Sequence, residues 1–291
     1  MVTKQQVAVV VDSSSCLAKD IIQDLNISVV PHQLISQDKT YRDGIDIDPS
    51  EFYVIQKYNH VTFTTSGPTP IDFFEKFKLA AKKDQSIVCI TVGSQFSNAT
   101  LNAATIAARL VNASYPRTRI EVIDSKAAAG AEGLIALQAA RAAKSGQSID
   151  QVIAGIKDLI PRVHLLAVLD TLYYLEKSGR VPKTKAWAAS LLGIRPLADM
   201  TGGKARLLAK PRGKQRAIDL LFQTAFEHLG DRPVHLNIMH ANAPETANTM
   251  HTKAKALFNW QEVLVSEFTP VMGAHTGPGL VGLAFYTKTI L

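Results

Sequence analysis

The strongest constraint on the fold is a repeated alternation of short apolar runs with amphipathic stretches through the first half of the chain. The run over residues 7–11 ends at Asp12-Ser13-Ser14-Ser15, whose side chains can cap a helix around residues 17–25. A second run, residues 87–92, is followed from Ser97 by Leu101, Ala104, Ala108 and Val111 at helical spacing, and residues 120–123 repeat the strand signal. Between them, Thr69-Pro70-Ile71-Asp72 supplies an N-cap, a proline at N1 and an acid at N3 for a helix that buries Phe73, Phe77 and Ala80. Strands that alternate with helices need crossover connections, so the pattern predicts a parallel sheet flanked by helices.

The second half has another rhythm. An alanine-rich helix over residues 127–144 stops at Gly146, and Ser148-Ile149-Asp150-Gln151 starts a helix that ends before Pro161. Strand signals then fall at residues 163–169, 194–200 and 204–210, the last two joined by Thr201-Gly202-Gly203, a hairpin turn. Helices over 214–229 and 244–258 and strands over 234–239, 262–268 and 280–286 complete the reading. The expected fold class is α/β in two domains. Residues 1–161 form an N-terminal domain with a mostly parallel sheet, and residues 162–291 a C-terminal α+β domain with a mixed sheet.

Several function classes are excluded early. The two cysteines, Cys16 and Cys89, lie far apart and match no zinc spacing, so they read as buried thiols in a reducing compartment. The most apolar helical stretch is interrupted by Glu132 and Arg141 and no basic-then-apolar leader is visible, so a cytoplasmic protein is expected. The formal charge of +7 is concentrated, because residues 177–216 hold eleven bases against one acid, Asp199. Such a patch attracts a nucleic acid, a phosphorylated substrate, an anionic membrane or a partner protein, and charge alone does not choose among them. Its single aromatic, Trp187, gives base stacking little support.

The chain lacks GxxxxGK[ST], HExxH and GxSxG, and has no GxGxxG after its first strand. Asp12 at a strand end is no aspartyl-phosphate nucleophile of the usual kind, since the acid expected two residues later is Ser14; it reads as a cap. His235 and His240, five apart on a strand, project to opposite faces and cannot share a metal there. No catalytic residue, metal or cofactor is assigned.

Three polar turns remain. Thr64-Thr65-Ser66-Gly67-Pro68 and Gly93-Ser94-Gln95-Phe96-Ser97 both place hydroxyls and free amides at helix N-termini, where an open α/β sheet binds anions. Gly273-Ala274-His275-Thr276-Gly277-Pro278-Gly279 sets one histidine among glycines, at a sharp bend. On these residues alone, an enzyme acting on a small anionic metabolite, with Ser94 as nucleophile and His275 as base, stays open beside a binding function.

Here the sequence resembles the DegV-like family of fatty-acid-binding proteins over nearly its whole length. The marks, in order, are Asp12-Ser13-Ser14, Tyr41-Arg42-Asp43-Gly44, Thr65-Ser66-Gly67-Pro68-Thr69, the turn from Gly93 to Ala99, Val122-Ile123-Asp124-Ser125, Asp170-Thr171-Leu172-Tyr173-Tyr174-Leu175 running into Ser178-Gly179-Arg180, Gly193-Ile194-Arg195-Pro196, Lys210-Pro211-Arg212 and His275-Thr276-Gly277-Pro278-Gly279. The resemblance implies one long-chain fatty acid in a tunnel between the two domains. It further implies presentation of the acid to a separate ATP-dependent fatty acid kinase related to dihydroxyacetone kinases, giving an acyl phosphate for phospholipid synthesis. Carried over by position, the carboxylate site falls on Thr65, Ser94 and His275, with Arg180 and Arg212 at the phosphoryl-transfer or partner-facing surface. Transient contact with an anionic membrane fits the basic patch during ligand exchange. The chain departs from the family at Gly67, where a glutamine is usual, and at Gly93, Asn98 and Ala99 of the second turn. These changes predict an altered helix start and a reshaped pocket mouth.

Overall fold

Burial on both faces explains why the first strands are continuous apolar runs rather than alternating ones. In the computed structural model, which describes residues 6–36, 39–58, 63–181 and 193–287, β1 (Val7–Asp12) is followed by α1 (Lys19–Asp24), β2 (Ser28–Val30), β3 (Gln33–Ser36), β4 (Lys39–Arg42), α2 (Pro49–Tyr58) and β5 (Thr64–Ser66). Then come α3 (Pro70–Ala81), β6 (Ser86–Thr91), α4 (Ser94–Ser114), β7 (Ile120–Asp124), α5 (Ala129–Lys144) and α6 (Ile149–Leu159). The order β2-β1-β6-β7 is parallel throughout. Val10, Ile87 and Cys89 pack with Phe73, Phe77 and Ala104 of α3 and α4, whereas Val9, Val11, Val88 and Ile90 face the cluster containing Leu134 and Ile135 of α5.

The chain continues through β8 (His164–Val168), α7 (Tyr173–Ser178), β9 (Leu197–Asp199), β10 (Arg206–Ala209), α8 (Lys214–Leu229), β11 (Val234–His240), α9 (Pro244–Leu257), β12 (Trp260–Glu267), α10 (Pro270–Thr276) and β13 (Val281–Thr287). Its strands form a mixed sheet in the order β10-β9-β8-β13-β11-β12, in which only β11 and β12 run parallel. Leu166, Val168, Leu236, Ile238, Leu283 and Phe285 cluster with Leu221 and Phe222 of α8 and Met250 of α9. Leu165, Ala167, Ala284 and Tyr286 instead join the α5 cluster.

Helix α5 therefore lies between the two sheets, touching β1 on one side and β11 and β13 on the other. Its sequence, AGAEGLIALQAARAAK, is small on more than one face, and that is what lets two sheets approach it. A Cβ at Gly133 would stand 2.6 Å from the Ser15 carbonyl oxygen, and one at Gly130 would stand 2.7 Å from Asn237 Nδ2.

Two expectations need correction. Residues 12–15 do not cap α1; Asp12 accepts from Ser14 N and caps a separate 3-10 turn, Ser13–Ser15, while α1 starts after Ala18 without a side-chain cap. The 273–279 segment is a bend only in its second half, because Gly273 and His275 lie within α10 and the chain leaves the helix at Gly277, φ +73°. A third, antiparallel sheet, β4-β3-β5, was not foreseen. Lys183, Lys185 and Trp187 of the basic stretch lie outside the described residues. Among the described residues no helix is long and apolar enough to cross a membrane.

Candidate functional site

The carboxyl ends of β1, β6 and β7 face the mixed sheet, and between them lies a narrow cavity of about 100 Å³. Its walls are mostly apolar, including Val92, Phe96, Ala129, Leu165, Leu169, Met200, Met239, Phe268 and Leu280. Among the described residues, the polar groups that reach it are Ser14, His32, Thr65, Ser97, Arg180, His275 and Thr276. Thr276 turns its hydroxyl to its own helix, donating to the Met272 carbonyl at 2.9 Å.

Thr65 is set by the pairing of β5 with β3, opposite Leu34. Across from it, α10 brings His275, and Thr65 Oγ1 lies 2.9 Å from His275 Nε2. Burial pushes the His275 imidazole down to about 3, helped by the positive charges of Arg180 and His32, so it is neutral near pH 7. One of the two protons is used between them, so the pair keeps one N–H or O–H to turn toward an anion, and neither residue brings a competing charge of its own. Both residues, with Arg180, also line an outer groove containing Phe63, Tyr173, Tyr174 and Lys177. This pair thus stands where the cavity meets the surface.

Ser94 is placed otherwise than expected. Its N and Oγ donate to Asp124 Oδ1 and Oδ2 at 3.0 and 2.6 Å, and it is not a lining residue of the cavity. Ser97, one helical turn later, faces the cavity instead, because the backbone leaves helical geometry there, at φ −150° and ψ 85°. Its Oγ is 2.8 Å from Thr100 Oγ1. The pairing of Ser94 with Asp124 and His275 with Thr65 also separates the nucleophile and base of the metabolite-enzyme reading.

The departures from the family pattern have steric counterparts. A Cβ at Gly93 would lie 3.0 Å from the Lys126 and Ala127 backbone, and one at Gly67 3.0 Å from Thr100 Oγ1. Glycine at both positions lets the two turns close on the first turns of α4 and the segment after β7. No contact explains Asn98 or Ala99, which are exposed.

The two arginines are not brought together at the cavity. Arg180 is half-buried at its edge and donates from Nη1 to the Ser178 carbonyl at 2.6 Å, with its pKa drawn down by desolvation. Arg212 lies in a separate depression with Lys210, Pro211, Arg216 and Asp219, held by a backbone bridge to Ile194.

Sequence reasoning missed the polar cluster behind this end of the cavity. Asp12, fully buried, accepts from Ser14 N (3.1 Å), Ser14 Oγ (2.6 Å) and Val92 N (2.8 Å), and His32 Nε2 lies 3.1 Å from its Oδ1. Ser14 Oγ is also 2.7 Å from Glu132 Oε2, while Glu132 Oε1 is buried without a hydrogen-bond partner. One hydroxyl proton cannot serve two carboxylates. Burial and the Asp12 charge raise Glu132 well above its ordinary range, so it is the protonated member, donating to Ser14, which donates to Asp12. Asp43, which accepts from Ser13 Oγ at 2.6 Å and Val271 N at 3.1 Å, is pushed up by burial to about 6. The only sequence signal was a run of polar residues at a strand end, and His32 after Pro31 gave none. Among the described residues, no group of three His, Cys, Asp or Glu is arranged to hold a metal ion.

The profile of a family described as "Uncharacterised protein, DegV family" matches residues 6–288. A DegV domain-containing protein of Caldanaerobacter subterraneus subsp. tengcongensis is 30% identical over 288 residues, covering 98% of this chain and 100% of its own. One from Streptomyces coelicolor is 31% identical over 287 residues, covering 98% and 99%. Among solved structures, the fold is similar to that of a Thermus thermophilus DegV family protein described for fatty acid binding, with a TM-score of 0.89, 24% identity and coverage of 98% and 100%. It is also similar to a stearic acid-binding protein from Eubacterium ventriosum, with a TM-score of 0.88, 24% identity and coverage of 97% and 98%.

Proposed function

The chain belongs to the DegV family, and on that premise we propose that it binds one long-chain fatty acid and presents its carboxylate to a separate ATP-dependent kinase. The observation that carries the reading is the polarity of the cavity: apolar along its walls, with Thr65, Ser97, His275 and Arg180 among its few polar groups. The fatty-acid-binding descriptions of two structures with the same fold support it. Residues 1–161 and 162–291 are taken as the two domains that enclose the ligand.

Burying an ionised carboxylate without partners is costly, and the hydroxyls of Thr65 and Ser97, the His275 ring and the Arg180 charge offset that cost. Each such charge-assisted bond contributes about 1.5–3 kcal/mol. Most affinity comes from the tail, at about 0.8 kcal/mol per buried methylene, so the apolar walls decide which acid binds. In the kinase step a carboxylate oxygen attacks the terminal phosphorus of ATP, the bond to the bridging oxygen breaks, and acyl phosphate and ADP result. The outer groove shared by Thr65, His275 and Arg180 gives the phosphate a route to the carboxylate. Arg180 offsets charge there, and Arg212, on its own basic surface, serves the dihydroxyacetone-kinase-like partner. The protein has no turnover alone, works in the cytoplasm and touches anionic membrane during ligand exchange.

Mass spectrometry of an organic extract from the natively purified protein tests the binding step. A near-stoichiometric long-chain acid in the wild type, depleted in Thr65→Ala/Ser97→Ala protein, is the expected result. A folded wild type that carries no acid and takes up none when supplied overturns the reading. Acyl phosphate formation with ATP and a dihydroxyacetone-kinase-like enzyme tests the second step.

A further inference from the structure

We propose that His32 is a ligand-positioning residue, an imidazolium that supplies the fixed positive charge at the carboxylate end of the cavity. The inference rests on the binding reading above and adds to it the source of the charge.

His32 stands in a buried ion pair. Its Nε2 lies 3.1 Å from Asp12 Oδ1, and side-chain exposure is 7% for the histidine and 0% for the aspartate. Asp12 accepts from Ser14 N, Ser14 Oγ and Val92 N besides, a donor set that favours the carboxylate, and a carboxylate at this distance favours the imidazolium opposite it. Its main-chain N–H donates to Ser13 Oγ at 3.0 Å, and its carbonyl accepts from Asp43 N at 2.9 Å, so the backbone that carries the ring is held on both sides. It lines the same cavity as Thr65 and His275, and its charge is one of the two that hold His275 neutral.

The ion pair does not cancel at the cavity. Asp12 spreads its charge over three other donors, Ser14 N, Ser14 Oγ and Val92 N, and does not line the cavity, whereas His32 does. The remaining titratable groups near His32 leave this polarity in place. Glu132 is protonated, Asp43 is committed to Ser13 and Val271, His275 is neutral and Arg180 is positive. A carboxylate bound at Thr65 and His275 thus meets a rigid cation on the protein side and the longer Arg180 on the groove side. The division of labour follows: His275 and Thr65 provide direction, and His32 provides charge.

The test separates charge from packing. Dissociation constants for hexadecanoic acid and hexadecan-1-ol are measured on the wild type and on His32→Gln, whose amide can still donate to Asp12. Loss of the cation is expected to weaken the acid about tenfold or more and the alcohol less than about threefold. Equal weakening of both ligands, or of neither, overturns the proposal. In case the variant does not fold, nitrogen NMR of the wild-type ring with hexadecanoic acid bound gives an independent answer. Two protonated ring nitrogens at pH 7.5 are expected, and a neutral ring refutes the assignment. A wild type that binds neither ligand defeats the binding reading itself, whereas a wild type that binds the acid with no dependence on His32 defeats only this inference.

Discussion

Replacing Gly133 by alanine isolates the close approach between α5 and the turn after β1. In an exposed helix the change stabilises by about 1 kcal/mol, because alanine restricts the unfolded backbone and favours helix. Gly155 in α6 offers that case, since it is exposed and its added Cβ would meet no atom within 4 Å. At Gly133 the same methyl would stand 2.6 Å from the Ser15 carbonyl oxygen, against roughly 3.4 Å for ordinary contact. The obstacle is backbone, in the turn whose Ser15 Oγ donates to the Asp12 carbonyl at 2.9 Å, so it cannot swing aside as a side chain does. Overpacking of this kind costs about 1–3 kcal/mol and, in a turn held so tightly, the upper part of that range applies. Subtracting the helix gain leaves Gly133→Ala destabilised by about 1–2 kcal/mol and Gly155→Ala stabilised by about 0.5–1 kcal/mol. Urea unfolding at fixed pH reads both, with the m-value checking that the unfolded state is unchanged. If Gly133→Ala proves as stable as Gly155→Ala, the helix does not approach the turn as closely as the geometry requires.

The other expectations concern the site and its surroundings. Thr65→Val should weaken fatty acid binding by about 1.5–3 kcal/mol in calorimetry with little change in unfolding free energy, and an unchanged affinity removes Thr65 from the carboxylate site. Ser97→Ala should lower affinity, whereas Ser94→Ala, which loses only the contacts to Asp124, should cost stability of about 1 kcal/mol and leave affinity within about twofold; the reverse pattern would restore the serine expected from sequence. Glu262 is held down to about 2 by Arg141 and His235. Because its folded value is depressed, its stabilisation is present above pH 4.5 and lost as pH falls toward 2, and Glu262→Gln should flatten that part of the stability profile. Asp43 has the opposite sign: its value is raised to about 6, so it contributes below its unfolded value near 4 and that contribution is lost as pH rises through 6. A wild-type profile with no slope in either window contradicts both assignments.

Legibility in the sequence tracked the strength of local signals. The helix expected over 214–229 is α8, Lys214–Leu229, because its apolar positions keep one period and Gly213 and Gly230 bound it. The capping box of Ser148 with Gln151 marked the start of α6 just as clearly. Strand β5 is three residues long, with exposed Thr64 and Ser66, and carries no pattern to read. In α10 the glycines misled, since Gly273 serves close packing against Phe52 and Tyr53 rather than a bend. At the site, Thr65 and His275 were both visible as polar residues in unusual turns, and the structure pairs them. The exchange of Ser94 for Ser97 depends on one backbone torsion within α4, and torsions leave no mark on residue type. The Asp12, His32 and Glu132 cluster spans 120 residues of chain and assembles only in three dimensions.

The position of α5 has a mechanical consequence. A protein whose halves met only at loops could release a buried ligand by swinging open, but here one helix is the wall of both rooms. Eleven of its sixteen residues are buried, against β1 on one side and β11 and β13 on the other. Parting the sheets would wet most of that helix at once and give up the apolar burial on its faces. On the proposed function, passage of the fatty acid falls to the rim, where Tyr173, Tyr174 and Arg180 border the outer groove, while the shared helix stays fixed as the keel of the molecule.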